Sequence, residues 1–305
     1  MATDASDLIV PDSERLGLIG ALPGPLRPYA SLMRLDRPIG AWLLFWPGAW
    51  AVALAGLGPR GIALILWLAL GAWAMRSAGC VWNDIVDRDL DRKVERTRLR
   101  PLASGRASLA GAWILLIGLG LIGLVVLLRL DRLAQIVALA SLAPVAAYPF
   151  MKRITWWPQA WLGLVFSWAA LVGWPAVTEA MGPTVWLLYA GAICWVIGYD
   201  TIYAIQDVED DALVGVRSSA RALGSRIRTG VALFYAVALV LWGFALWRER
   251  PDGLALVALL PMAIHLAHQV ATLKPEDGAD ALAKFRSNRF AGLLMFLACL
   301  VVGTS

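Results

Sequence analysis

Apolar and polar positions in this chain fall into long blocks rather than the short periods of a soluble fold. Nine apolar blocks, near 39–57, 62–82, 108–128, 133–150, 158–178, 184–204, 229–247, 253–272 and 287–303, are separated by short polar loops. Most approach the ~20 residues that a helix needs to cross hydrocarbon, where every backbone polar group must be satisfied within the span. The pattern predicts an all-α integral membrane protein of nine transmembrane helices in one bundle. Pro144, Pro149, Pro158, Pro175 and Pro261 mark places where helices kink or end. Residues 1–30, with Asp4, Asp7, Asp12, Glu14 and then Gly24, Pro25 and Pro28, read as a loose lead-in to a single transmembrane domain over 31–305. They lack the basic start and apolar core of a removable signal peptide.

Composition agrees with the block pattern: 60% of the 305 residues are hydrophobic and 16% charged, far from the soluble mixture. The formal net charge of +5 could suggest nucleic acid, but the basic residues sit in loops and form no continuous face. They report topology. Arginines and lysines crowd the N-terminal segment and every second loop, whereas the opposite loops carry only Arg60, Arg129, Arg132, Arg248 and Arg250. That bias predicts a cytoplasmic N-terminus. Cys80, Cys194 and Cys299 lie in or beside apolar blocks without ligand spacing and read as small apolar residues; His265 and His268 read as structural.

Two polar clusters break the scheme. Asn83, Asp84, Asp87, Asp89 and Asp91 close the second apolar block, and Asp200, Asp207, Glu209, Asp210 and Asp211 close the sixth. By the loop charge count both belong to the cytoplasmic side. On a continuing helix, Asn83, Asp87 and Asp91 stack at i, i+4 and i+8, and Asp200, Asp207 and Asp211 at i, i+7 and i+11, while Asp89 and Asp210 point elsewhere. Converging carboxylates at a low-dielectric edge need balancing cations, and an all-oxygen set without histidine suits Mg²⁺. The two clusters are expected to face each other and share metal ions. Arg96, Arg98 and Arg100, with Lys152 and Arg153 in the next loop on that side, suit a phosphorylated ligand. Basic residues then Ser-Gly or Leu-Gly trail each cluster, a modest sign of two distant repeat halves, about 31–150 and 158–272, followed by a last helix at 287–303. From the residues alone a divalent-cation transporter stays open beside a Mg²⁺ enzyme.

The run from Asn83 to Asp91, followed by Arg96-Thr97-Arg98-Leu99-Arg100-Pro101-Leu102-Ala103-Ser104-Gly105, resembles the UbiA family of intramembrane prenyltransferases. So does Tyr199-Asp200-Thr201-Ile202-Tyr203-Ala204 with Asp207, Asp210 and Asp211. Leu35-Asp36-Arg37-Pro38-Ile39-Gly40 with Trp46-Pro47, and Tyr148-Pro149-Phe150-Met151-Lys152-Arg153-Ile154-Thr155, are similar to the 4-hydroxybenzoate polyprenyltransferase branch of ubiquinone synthesis. Arg217 departs from that branch, which commonly has lysine there.

The resemblance implies nine helices around a central cavity and a bacterial inner membrane with the site near its cytoplasmic face. It implies Mg²⁺-dependent transfer of a polyprenyl group from polyprenyl diphosphate to the ring carbon ortho to the hydroxyl of 4-hydroxybenzoate. Asp87, Asp91, Asp207 and Asp211 would be the catalytic ligands of two Mg²⁺, with Asn83 and Asp84 assisting. Arg153 would meet the aromatic carboxylate, and Lys152, Arg37, Arg96, Arg98, Asp200, Tyr203 and Arg217 are the remaining candidate substrate contacts. Another acceptor (a naphthoate, homogentisate, chlorophyllide or haem) stays open.

Overall fold

The computed structural model describes residues 16–93, 97–208, 215 and 217–303. All regular structure among them is helical. The principal helices are α1 (Ile39–Leu54), α2 (Gly58–Val86), α3 (Leu109–Leu127), α4 (Arg132–Ala140), α5 (Leu142–Ile154), α6 (Pro158–Gly173), α7 (Pro183–Tyr203), α8 (Ile227–Glu249), α9 (Gly253–Thr272) and α10 (Gly278–Gly303). Among the described residues eight helical stretches are long and apolar enough to cross a membrane, and α1, at 16 residues, is a shorter apolar helix. Each expected block therefore coincides with helix.

The block limits differ from the helix limits where charged residues join a helix end. α10 starts at Gly278, nine residues before the apolar block, because Asp277 caps its first turn through Oδ1, accepting from the Ala279 and Asp280 N–H groups at 3.0 Å each. Lys284 then pairs with Asp280 one turn apart. The block expected as one helix at 133–150 is broken at Ser141, whose hydroxyl donates back to the Ala138 carbonyl at 2.6 Å. Such i−3 bonding by serine competes with the helical ladder and bends it.

The chain packs as two compact units. The first joins the described residues up to Ala41 with Leu70–Val125. Its core contains Leu32, Ala74, Ala78, Val81, Leu102 and Leu119. Packing thus begins ahead of α1: Ala30 and Leu32 of the short helix Arg27–Leu32 are buried, and a Cβ on Gly111 would strike the Tyr29 ring.

The second unit joins Trp42–Ala69 with the described residues from Val126 onward. Its centre is a set of three buried tryptophans from different helices, Trp50 lying 5.1 Å from Trp195 and 5.4 Å from Trp242 between ring centroids. A buried indole N–H needs an acceptor, and each has one. Trp50 donates to the Gly292 carbonyl at 2.8 Å, Trp195 to Asn288 Oδ1 at 2.9 Å and Trp242 to the Leu188 carbonyl at 3.2 Å. These bonds tie α1, α7, α8 and α10.

With lipid outside, close helix approach depends on small residues rather than on expelling water. A Cβ on Gly173 would stand 2.5 Å from the Gly48 carbonyl oxygen, a backbone atom that can retreat only if α1 and α6 part. Gly173→Ala is therefore expected to destabilise the protein by about 1–3 kcal/mol, measured as a lowered unfolding temperature in detergent. A native unfolding temperature would contradict the contact.

Candidate active site

The first acidic segment lies where α2 ends. Its last α-helical residue is Val86, and Asp87 adopts φ −91°, ψ 1° before a further turn, Arg88–Asp91. This bridge conformation is sparsely populated and frequent at active sites. The expected continuous helix is thus bent at Asp87. The i→i−4 ladder nonetheless survives, since the Asp87 N–H donates to the Asn83 carbonyl at 2.9 Å and the Asp91 N–H to that of Asp87 at 2.8 Å. The stripe persists for the same reason. Asp84, Asp87 and Asp91 are buried and Asn83 half-buried, whereas the Asp89 side chain is 87% exposed.

Buried carboxylates cost several kcal/mol each unless charge and hydrogen bonds compensate them. Here arginine does so. Asp84 Oδ1 accepts from Arg34 at 2.8 Å and from Arg100 at 3.4 Å, and Arg100 also reaches Asp91 Oδ2 at 2.9 Å. Burial raises the Asp91 pKa above the ordinary carboxylate range; Asp84 and Asp87 add to that rise and Arg100 opposes it. The segment after the cluster folds back over it, with Arg92 donating to the Ala103 carbonyl at 3.1 Å and Thr97 to that of Asp91 at 3.1 Å.

Arg34 was legible only as part of a charge count, and its placement is structural. It closes the helix Arg27–Leu32 in the left-handed region, φ 58°, where a non-glycine residue is uncommon. The Leu35 N–H bonds to the Ala30 carbonyl at 3.2 Å and that of Arg34 to Ser31 at 3.1 Å, the paired bonds of a Schellman cap. Asp36 is buried and accepts from Arg37 at 3.1 Å.

The second acidic segment belongs to the other unit. α7 ends at Tyr203 and tightens into the 3-10 turn Ala204–Asp207. At three residues per turn rather than 3.6, Asp207 is rotated relative to Asp200 from where an unbroken α-helix would put it. Asp200, Tyr203 and Asp207 are each half-buried. Asp211, and Arg96 of the first segment, lie outside the described residues, as do Glu209 and Asp210. Arg98 and Arg153 are exposed, and Lys152 is the residue before Arg153 in α5. Arg217 donates to the Ile154 carbonyl at 2.9 Å and its guanidinium lies 5.6 Å from the Trp156 ring centre, so it braces the end of α5.

Among the described residues no three metal-ligating side chains are gathered as a cage. The first segment still fits a hard divalent cation: its donors are oxygens, and Asp84 Oδ2 is buried with no hydrogen-bond partner. Asp87 and Asp91 stand one and two turns along the same stripe.

Membrane-length helices with a carboxylate stripe and converging arginines define an integral membrane protein with a charged, polar helix end. A model of the UbiA prenyltransferase family matches residues 44–300, and the chain belongs to that family. It is 43% identical to the mitochondrial 4-hydroxybenzoate polyprenyltransferase of Aedes aegypti over 91% of this chain, and spans 63% of that relative's length. The enzyme of the same name from Bos taurus is 44% identical over 92% of this chain and 76% of its own. Among solved structures, a UbiA homolog from Aeropyrum pernix K1 in its apo form superposes with a TM-score of 0.72 at 26% identity, covering 85% of this chain and 97% of its own. The Aedes aegypti and Bos taurus enzymes are named mitochondrial, so they lend no support to the expected bacterial inner membrane.

Proposed function

We infer that this chain is a 4-hydroxybenzoate polyprenyltransferase, transferring a polyprenyl group from its diphosphate to the ring carbon ortho to the phenol hydroxyl. The proton on that carbon passes to a carboxylate or to the released diphosphate. The observation that carries the reading is the 43% identity, over 91% of the chain, to a relative bearing that name. The stripe of half-buried Asn83 with buried Asp87 and Asp91 gives it a chemical basis. Asp87 and Asp91, with Asp207 and Asp211 of the second segment, would hold Mg²⁺, with Asn83 and Asp84 assisting. When bound, Mg²⁺ neutralises charge on the diphosphate leaving group, so that no protein nucleophile is needed to break the allylic C–O bond.

The chain's own residues do the rest. Carboxylates at the membrane edge set the diphosphate end, and Arg98 and Arg96 add charge toward its oxygens. The apolar spans accommodate the isoprenoid tail and keep water from the electrophilic allylic carbon. Arg153 takes the aromatic carboxylate as a paired, bidentate contact, directing the ring carbon beside the phenol hydroxyl toward the allyl group. We place the site on the cytoplasmic side of the bacterial membrane, or the corresponding side of a mitochondrial one, from the bias in loop charge.

Two measurements test this reading. In an acceptor panel with one labelled prenyl diphosphate, 4-hydroxybenzoate should be preferred over a dihydroxynaphthoate and homogentisate; preference for either of those would reassign the acceptor. Arg153→Ala should raise KM for 4-hydroxybenzoate by roughly 10–100-fold, as expected for losing a charge-assisted contact, with KM for the diphosphate near native. The reverse pattern would move Arg153 to the diphosphate.

A further inference from the structure

The second acidic segment hangs on the last turn of α7 and the 3-10 turn after it, and one neighbouring helix grips both. Contacts from the first half of α10 reach three levels of this strand of structure. Asn288, fully buried, accepts from Trp195 and returns its own N–H₂ to the Lys284 carbonyl at 3.0 Å. One turn nearer the polar end, the Phe285 ring lies 4.5 Å from that of Tyr203 and 5.8 Å from that of Tyr199 between centroids. At the start of the helix, Gly278 lies close to Gln206, to which an added Cβ would come within 3.5 Å. The first turn of α10 is itself fixed by the Lys284–Asp280 pair, and Asp280 Oδ2 accepts the Lys274 N–H at 2.9 Å.

These contacts differ in what they hold. Trp195 and Asn288 sit in the buried core of the unit, where packing on all sides fixes them. Phe285 is half-buried and touches the residue at which α-helix passes into 3-10 turn, four positions before Asp207. Helix ends fray when little packs against them, and at the transition itself the Phe285 ring packs against Tyr203.

We propose that Phe285 is a positioning residue for Asp207: by stacking on Tyr203 it holds the α-to-3-10 transition and thereby the approach of the Asp207 carboxylate to its cation. The proposal rests on the reading of Asp207 as a Mg²⁺ ligand. It places the sensitivity of a Phe285 variant in cation affinity rather than in recognition of the aromatic acceptor.

The test pairs direct cation binding to the purified full-length protein without substrate, read as the loss of the free Mn²⁺ signal in electron paramagnetic resonance, with a Mg²⁺ titration of initial rate at saturating 4-hydroxybenzoate and prenyl diphosphate. Phe285→Ala should weaken Mn²⁺ binding by the same factor as it shifts the rate titration, and native Mn²⁺ binding overturns the positioning role. Phe285→Ala should raise the Mg²⁺ concentration for half-maximal rate by roughly fivefold, the scale of one aromatic pair, with KM for 4-hydroxybenzoate unchanged. Phe285→Tyr keeps the ring and should restore native dependence. Should Phe285→Ala fail to accumulate, Phe285→Leu keeps apolar volume without the ring and should show a smaller shift in the same direction. Leu266→Ala, a cavity at a fully buried position of α9, controls for lost stability: it should lower the unfolding temperature and leave the Mg²⁺ dependence native. A native half-saturation in the Phe285 variants, or an equal shift in Leu266→Ala, overturns the positioning role. Native protein that works at full rate in excess EDTA overturns instead the reading of Asp207 on which the proposal stands.

Discussion

Asp87→Asn should reduce prenyl transfer by roughly a thousandfold or more, the scale expected when a ligand to a catalytic cation loses its charge, while the protein stays folded. Asparagine matches aspartate in shape, and the backbone bonds that carry the stripe through the bend, Asp87 to Asn83 and Asp91 to Asp87, do not involve the side chain. The Asp87 side chain is wholly buried, so its charge is not lost among solvated neighbours. Asp207→Asn should behave alike from the other segment. Asp89→Asn is the internal control, because the Asp89 side chain is 87% exposed and off the stripe; its activity should be native. Appreciable transfer by Asp87→Asn, measured as labelled prenyl group incorporated into the acceptor, would remove Asp87 from the chemistry.

The second large effect concerns stability. Arg34→Ala should cost on the order of 3 kcal/mol, because removing one member of a buried ion pair strands the other. Arg34 and Asp84 side chains are 12% and 1% exposed, and after the change Asp84 Oδ1 keeps only the 3.4 Å contact to Arg100. For a chain of this size that corresponds to a fall of roughly 5–10 °C in unfolding temperature. Arg34→Gly loses the same pair but fits the left-handed φ of 58° without strain, so it should be less harmful than Arg34→Ala by about 1 kcal/mol. Removing both charges in Arg34→Ala/Asp84→Ala should recover part of the loss relative to Arg34→Ala alone. Equal unfolding temperatures for native protein and Arg34→Ala would show that Asp84 is compensated elsewhere.

The spans were legible because length and hydropathy decide them in lipid, and the first acidic stripe because i, i+4 spacing survives even a bent helix. Asp89 was rightly set outside it for the same reason. What the residues alone did not disclose depends on tertiary partners. Nothing local to Arg34 marks it as a left-handed helix cap, since glycine is the usual occupant, and its selection reflects the Asp84 carboxylate fifty positions away. The bend at Asp87 and the tightening of α7 at Tyr203 likewise leave hydropathy unchanged. Nor does anything local to Arg217, a candidate substrate contact by resemblance, disclose that its guanidinium meets the Ile154 carbonyl and the Trp156 ring. α10 began earlier than its apolar block because capping by Asp277 extends a helix through charged residues that a hydropathy window discards.

This membrane protein is expected to join a prenyl chain to carbon on an aromatic acid with the help of a divalent cation. Mass spectrometric analysis of products from 4-hydroxybenzoate and prenyl diphosphates of increasing length, with Mg²⁺ and with excess EDTA, tests it most directly. With Mg²⁺ the expected products are 3-polyprenyl-4-hydroxybenzoate and released diphosphate, and in EDTA none. Product formed equally in EDTA, or no prenylated product with any chain length from folded protein supplied with Mg²⁺, would contradict it.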